Sequence, residues 1–329
     1  MAHGIRRRDF TALLGGSLIA GALPGCAKPP PPSPQPTAAP ASFGGAVGAI
    51  RAGIARDAAD PAILPAALPR LYEHGAPVEH AVVLFHGFTN CPQQFDELAR
   101  GYHARGCNVY VPRIPHHGLR DRLTRDLAHL TVAELTAFAD AAFALARPLG
   151  SSVSVLGLSL GGTLALWLAQ TQPVDLAIPV APCLMPIPDP HVVAHPAWRL
   201  LRALPSMYWW WDVRLKQRIR PPYAYPGYPT HALAEVVFLG DAVIARAALD
   251  KPRGRRCVLV LNEDDPAVDN RVTRALLAAW NRHGAGYREV VLPELGRPRH
   301  DVIDPTTFPQ GRTLVYPKLE ALVLAARAG

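Results

Sequence analysis

The sequence predicts an α/β fold: a mostly parallel central sheet of about seven or eight strands, flanked by helices, with a helical, aromatic-rich cap insertion. Three observations predict it. Short β-branched apolar runs alternate with helix-patterned runs from about residue 79 to 180 and again from 257 to 292, the signature of parallel βαβ units. One of these junctions carries Gly157-Leu158-Ser159-Leu160-Gly161 between an apolar strand run and an apolar helical run. Between residues 183 and 255 the alternation stops and prolines and aromatic residues accumulate.

The chain opens with Arg6-Arg7-Arg8-Asp9-Phe10, a moderately apolar run over 13–23, and Pro24-Gly25-Cys26. A basic region, a short apolar region and a small-residue site make an export signal over 1–26. The apolar run is too short to span a bilayer stably. Arg-Arg-Asp-Phe resembles a twin-arginine signal. Leu23-Pro24-Gly25-Cys26 resembles the lipobox of bacterial lipoproteins, with Pro24 in place of the usual small or hydroxylated residue, which implies lipidation at Cys26. Residues 27–43 are proline-rich without apolar period, an extended, semi-rigid tether. The rest, 44–329, is the folded domain.

Within it, 46–59 reads as a surface helix and 70–72 as a short strand. Residues 79–85 (Glu-His-Ala-Val-Val-Leu-Phe) form a buried strand that runs into His86-Gly87-Phe88-Thr89, and a helix follows Pro92 to about Arg105. Residues 108–111 are the next strand, leading to His116-His117-Gly118; 131–146 is an amphipathic helix. The strand 152–156 enters the Ser159 turn, the helix 162–170 leaves it, and 175–180 is another strand. After the insertion come a strand at 257–261, a helix at 271–283, a strand at 287–292, a loop at 296–301 and a terminal helix at about 315–327. In such sheets function gathers at the C-terminal strand ends, where each motif falls.

With 329 residues, 49% of them hydrophobic, the chain can bury a substantial core. The formal charge of +8 is spread over scattered arginines, without a basic tract or a zinc-finger or RNA-binding signature, so nucleic acid is not an expected partner, whereas an anionic membrane or cell wall suits the charge. Five cysteines without a CxxC pair suggest neither a disulfide scaffold nor zinc. No metal and no cofactor is expected. Cys91 and Cys183 both fall near C-terminal strand ends, which makes them the one pair expected to bridge if exported.

A strand–turn–helix with glycine two residues either side of a serine pushes the serine Oγ out over the sheet edge. A serine hydroxyl is a weak nucleophile and needs a base, and the base needs an acid to hold its tautomer. His283 stands at a helix end before Gly284, where it complements the helix dipole. His300 follows the last strand by a loop and is the expected base. Glu263, Asp264, Asp265 and Asp269 follow the preceding strand and are the candidate acids. An acyl-transfer oxyanion needs preorganised donors; the backbone N–H groups of Leu160 and of Phe88 are placed to supply them. His86 is expected to orient its loop. His117, Trp209 and Trp210 are the expected substrate-binding side chains. Four of the six tryptophans fall in the insertion, which suits an apolar acyl pocket.

His86-Gly87-Phe88-Thr89, Gly157-Leu158-Ser159-Leu160-Gly161-Gly162, Asp265 and His300-Asp301 together resemble the α/β-hydrolase superfamily, in particular bacterial carboxylesterases and monoacylglycerol lipases, over roughly residues 70–329. The resemblance implies a Ser159–Asp265–His300 triad, Asp265 being favoured over Asp264 because it lies in a turn followed by apolar residues, and it implies carboxylic ester hydrolysis. Two features depart from the family: no first strand is evident before Arg70, and the insertion matches no known lid. The expected function is therefore a serine esterase or lipase-like enzyme for small-molecule esters with medium-chain or lipid-like acyl groups, exported to the periplasm or cell surface and held by a lipidated N-terminus. A peptidase, amidase or perhydrolase on the same scaffold is the alternative, and a non-catalytic surface lipoprotein the reading from a different class. The sequence is silent on oligomeric state.

Overall fold

The computed structural model describes residues 40–186, 194–297 and 299–325, without the side chains of 194–197. The expected export signal, Cys26 and the tether up to residue 39 lie outside the described residues. Ser42, at the tether's expected end, already caps the first helix, α1 (Phe43–Ala59), by accepting from Gly45 N–H at 3.2 Å.

Seven strands form one sheet: β1 (Arg70–Tyr72), β2 (Val78–Phe85), β3 (Asn108–Val111), β4 (Gly150–Leu158), β5 (Leu176–Val180), then, after a separate two-stranded ribbon of β6 (Tyr208–Trp210) and β7 (Gly227–Pro229), β8 (Val258–Leu261) and β9 (Arg288–Val291). The spatial order is β1-β3-β2-β4-β5-β8-β9. Only β1 runs antiparallel to its neighbour in this sheet; every other pairing is parallel. Central strands of a parallel sheet are covered on both faces and read as continuous apolar runs: Ala81–Val82–Val83–Leu84–Phe85 of β2 and all of β3, β5 and β8 are buried.

The helices α2 (Asp96–Ala104), α3 (Val132–Ala146), α4 (Leu160–Thr171), α5 (Ala194–Ala203), α6 (Thr230–Leu249), α7 (Asn270–Arg282), α8 (Gly311–Leu314) and α9 (Tyr316–Leu324) complete the fold. α3, α4 and α6 pack on one another, while α2 packs on α9. α4 is buried from Leu160 to Gln170, as expected of a helix apolar all round. α6 lies inside the expected insertion but is buried along much of its length against α3 and α4. It belongs to the layer flanking the sheet, so the stretch that departs from strand–helix alternation is shorter than 183–255. Cys91 and Cys183 do not bridge. Both thiols are free and buried, Cys91 in a small cluster with Ile63 and Ala67 and Cys183 in the main core. Burial pushes each up to about 12.

At the crossing of β4, α4 and β2 the backbones approach closely. A Cβ on Gly161 would lie 2.0 Å from the carbonyl oxygen of Phe85, and one on Gly157 would lie 2.1 Å from that of Gly161. Both obstacles are backbone and cannot rotate away. Gly162 is less constrained, its Cβ meeting Pro182 Cα and Val180 O at 3.0 Å. Gly161→Ala is therefore expected to cost more than about 3 kcal/mol, beyond the usual range for overpacking, and Gly162→Ala distinctly less, as measured by urea unfolding. Equal stability of the two variants would refute the close crossing.

Candidate active site

Ser159 stands at the C-terminal end of β4 with φ 58° and ψ −115°, a left-handed conformation that costs an L-residue about 1–3 kcal/mol. The surroundings hold it there. Its N–H donates to Val180 O at 3.0 Å, and its carbonyl accepts from Thr163 N–H at 2.9 Å and Cys183 N–H at 3.2 Å. Although it is the N-cap of α4, its side chain caps nothing, so Oγ is left to the site. Leu160, next along, opens α4, where first-turn N–H groups have no carbonyl of their own helix to bond.

Asp265 follows β8. Its Oδ1 accepts from Ala267 N–H at 2.8 Å and Val268 N–H at 3.2 Å, and both carboxylate oxygens accept from His300 Nδ1, at 3.0 and 2.9 Å. The Asp265 side chain is 0% exposed and that of His300 25%. The bond to Nδ1 turns His300 Nε2 away from the acid. Burial alone would lower the His300 pKa, but the Asp265 hydrogen bond and charge, joined by Asp301, raise it above the ordinary histidine value. The other candidate acids are engaged elsewhere or solvated: Glu263 pairs with Arg274, Asp269 with Arg271, and Asp264 is exposed. His283 ends α7 and makes its contact with Ala248 O at 3.3 Å.

The loop after β2 is held from several sides. His86 Nδ1 donates to Gly87 O at 3.0 Å and Nε2 accepts from Ile114 N–H at 3.1 Å. Burial, aided by the Arg113 charge, pushes its pKa down to about 3, so the ring is a neutral strut. Gly87 N–H donates to Gln94 Oε1 at 2.7 Å, and Gln94 Nε2 donates to Asp301 Oδ2 at 2.8 Å. One glutamine side chain thus ties the Phe88 loop to the loop of His300, a link no sequence motif signalled. The left-handed residue here is Thr89, φ 63°, rather than Gly87. Thr89 O accepts from Tyr225 N–H at 2.8 Å and its Oγ1 from Trp211 Nε1 at 2.9 Å, so the insertion grips this loop directly.

His117 is fully buried, edge-on to both His86 and Phe88. Its Nδ1 donates to Pro115 O at 2.8 Å, and burial holds its pKa well below the ordinary value. It therefore backs the Phe88 loop from inside. Of the tryptophans, Trp211 is the one against Phe88, at 6.2 Å between ring centroids, with Tyr228 at 5.5 Å from Phe88 and 4.4 Å from Trp211. Trp209 pairs with Tyr228 at 6.5 Å on the same face, whereas Trp210 turns to the other face and packs on Tyr208 at 5.3 Å. Two-residue strand alternation groups Trp209 with Trp211, and that signal was available in the sequence.

A profile of the alpha/beta hydrolase family matches residues 82–309. The chain belongs to that family. A thermostable monoacylglycerol lipase of Bacillus sp. (strain H-257) is 34% identical over 111 residues, which are 34% of this chain and 42% of the relative; the alignment thus spans less than half of that protein. Among solved structures, one of the metagenome-derived lipolytic enzymes LipS and LipT superposes with a TM-score of 0.62 at 21% identity, covering 80% of this chain and 99% of the other. The Paleococcus ferrophilus monoacylglycerol lipase gives 0.58 at 16%, covering 78% and 98%. A soluble variant of the Saccharomyces cerevisiae monoglyceride lipase, bound to a substrate analogue, gives 0.56 at 14%, covering 78% and 90%. At these identities the structural likeness is one of fold.

The Asp265 carboxylate should govern the titration of His300 in this protein. In Asp265→Asn the desolvation remains while the Asp265 charge is gone and only Asp301 opposes it, so the His300 midpoint, followed by the NMR shift of its ring protons, is expected to fall below its wild-type value. A histidine with a raised folded pKa contributes stability that is full below its unfolded pKa and lost as pH rises through the folded one. Wild type should lose this stability as pH rises beyond the ordinary histidine value, the direction in which the His300 pKa is raised, and the Asn variant should lose less. An unmoved midpoint would show that Asp265 does not set it.

Proposed function

We propose that this hydrolase cleaves carboxylic esters through an acyl-enzyme, with Ser159 as nucleophile, His300 as base and Asp265 as the acid that orients it. The observation that carries the reading is the buried Asp265 carboxylate on His300 Nδ1, at the sheet edge where Ser159 leaves β4 in a strained turn. His300 Nε2 takes the Ser159 Oγ proton as Oγ attacks the ester carbonyl. The oxyanion is met by the N–H groups of Leu160, at the positive end of α4, and of Phe88. His300 then returns the proton to the leaving alcohol, activates water for deacylation, and the acid is released with Ser159 regenerated.

A medium-chain or lipid-like acyl group is the reading favoured by the aromatic wall of Phe88, Trp211, Tyr228 and Trp209, since such a wall binds apolar chains and offers few polar contacts. The names of the relatives, monoacylglycerol lipases among them, point the same way. The Arg6-Arg7 export signal and Cys26 support a lipid-anchored protein at the periplasmic or outer surface of a bacterial membrane, which would set the site beside its substrates.

A fluorophosphonate probe is expected to label the wild-type protein and to leave Ser159→Ala unlabelled, with ester turnover in the variant down by roughly four to six orders of magnitude. Labelling of the alanine variant would displace Ser159 from its role. Across p-nitrophenyl esters of graded length, kcat/KM should peak at medium chains; a maximum at acetyl, or turnover of amides alone, would overturn the substrate reading. Mass spectrometry of the mature N-terminus should find a lipidated Cys26, and an unmodified residue downstream would remove the anchor.

A further inference from the structure

Outside the site just described, His116, Asp126, His129 and Glu134 form a second polar cluster. His116 follows β3, and its Nδ1 lies 2.7 Å from Asp126 Oδ2 while its Nε2 lies 3.0 Å from Glu134 Oε2. His129 Nδ1 lies 3.4 Å from Asp126 Oδ1. The donor atoms of His116, Asp126 and His129 all fall within 4.8 Å of one another. We propose that His116 Nδ1, Asp126 and His129 Nδ1 bind one divalent transition-metal ion of the zinc class, with Glu134 holding the His116 ring.

The local structure argues for a built site. Asp126 and His129 are the first and last residues of a single 3-10 turn, Asp126–His129. At three residues per turn, side chains three apart eclipse, so the carboxylate and the second imidazole project together. His116 has φ 63°, a left-handed conformation that histidine, like Asn and Asp, adopts more readily than most L-residues, and this turn aims its ring at the pair. Glu134 occupies the third position of α3, whose N-cap Thr131 accepts from Glu134 N–H at 3.1 Å. In a capping box this carboxylate would reach back to the cap; here its Oε2 takes His116 Nε2. A metal-bound histidine that donates its other nitrogen to a carboxylate is the arrangement that fixes tautomer and ring orientation at zinc sites.

A metal takes the Nδ1 lone pair, so the proton between His116 Nδ1 and Asp126 leaves to solvent as the ion binds. Nε2–H stays on Glu134. Nitrogen and oxygen ligands about 2.0–2.2 Å from zinc stand about 3.3–3.5 Å apart in a tetrahedron; the His129–Asp126 separation of 3.4 Å already matches, and the hydrogen-bonded His116–Asp126 pair at 2.7 Å opens as the ion replaces the proton. Water completes the fourth position. Absence of CxxC pairs had argued against zinc, but this donor set uses no thiol.

The site also has a structural connection. Tyr225 OH donates to His116 O at 3.1 Å and accepts from Leu119 N–H at 2.8 Å, and Tyr225 N–H holds Thr89 O. An ion at His116 therefore braces the segment to which the insertion and the Phe88 loop are both tied.

Cobalt(II) titration of the purified, metal-stripped full chain at neutral pH tests the proposal. The expected result is one equivalent bound, with weak visible bands of nitrogen and oxygen ligation and no thiolate charge-transfer band, and a melting temperature that rises with added zinc. His129→Ala, at a side chain 73% exposed and so harmless to folding, should weaken binding at least tenfold and abolish the thermal shift. Glu134→Gln should weaken it by about 10–100-fold. No stoichiometric binding, a thiolate band, or an affinity indifferent to His129→Ala would each overturn the site.

Discussion

The close crossing of α4 over β4 and β2 is the constraint on which the rest depends. Gly161 lies so near the Phe85 carbonyl that no side chain fits, and this proximity has three consequences at once. The turn between β4 and α4 must be tight, which drives Ser159 into its left-handed conformation. The N-terminus of α4 then begins immediately beyond the strand, at Leu160. The end of β2 is brought alongside, so the Phe88 loop begins next to the same turn. The strain at Ser159, about 1–3 kcal/mol, is small against the burial of Leu160, Leu164, Leu166 and Leu168 on α4, each of which stabilises by about 1.5–3 kcal/mol. Packing of the helix dictates the backbone of the turn.

A sheet edge supplies loops, not a fixed arrangement of them, and the polar cross-links do the remainder. Gln94 spans from Gly87 N–H to Asp301; Asn262 after β8 donates to Arg299 O, next to His300, at 2.5 Å; Trp211 and Tyr225 hold Thr89. Tyr223, also from the insertion, donates to Asp304 Oδ2 at 2.6 Å. Asp304 is fully buried, and that burial, with the neighbouring Asp301 charge, pushes its pKa up to about 6. The insertion is therefore bonded both to the Phe88 loop and to the loop of His300. It is a structural part of the site's frame as well as its aromatic wall.

What was legible in the sequence was whatever depends on local pattern. Buried strands announced themselves as unbroken apolar runs, and β3 fell on its expected residues. Asp265 and His300, which the structure joins by a hydrogen bond, each follow their own strand. What failed depends on pairing across distance. Strand alternation groups Trp209 with Trp211, but that this face of the β6–β7 ribbon, where Trp209 stands opposite Tyr228, is the one turned to Phe88 comes from tertiary contacts. α6 was absorbed into the insertion because its role as a flanking helix comes from α3 and α4, not from its own pattern. Cys91 and Cys183 share a sheet edge, but that edge holds them in separate clusters. The left-handed turn after β2 falls at Thr89, a β-branched residue, where contacts from Tyr225 and Trp211 of the insertion bear its cost.

The adjacent histidines after β3 show how one strand end can serve two environments. His117 points inward, is neutral, and packs against His86 and Phe88. His116 points outward into carboxylates, and although partial burial opposes the charge, Glu134 and Asp126 raise its pKa. The left-handed φ at His116 reverses the chain between them, and Gly118 follows with φ 75°, where a Cβ would stand 2.2 Å from Ala67 Cβ. With no room for the chain to relax at Gly118, the His116 ring and the His117 ring are fixed on opposite sides of one backbone. Anything that orders His116 therefore also orders the residue behind Phe88, and the Phe88 loop inherits rigidity from a cluster that makes no contact with Ser159 in the described hydrogen bonds.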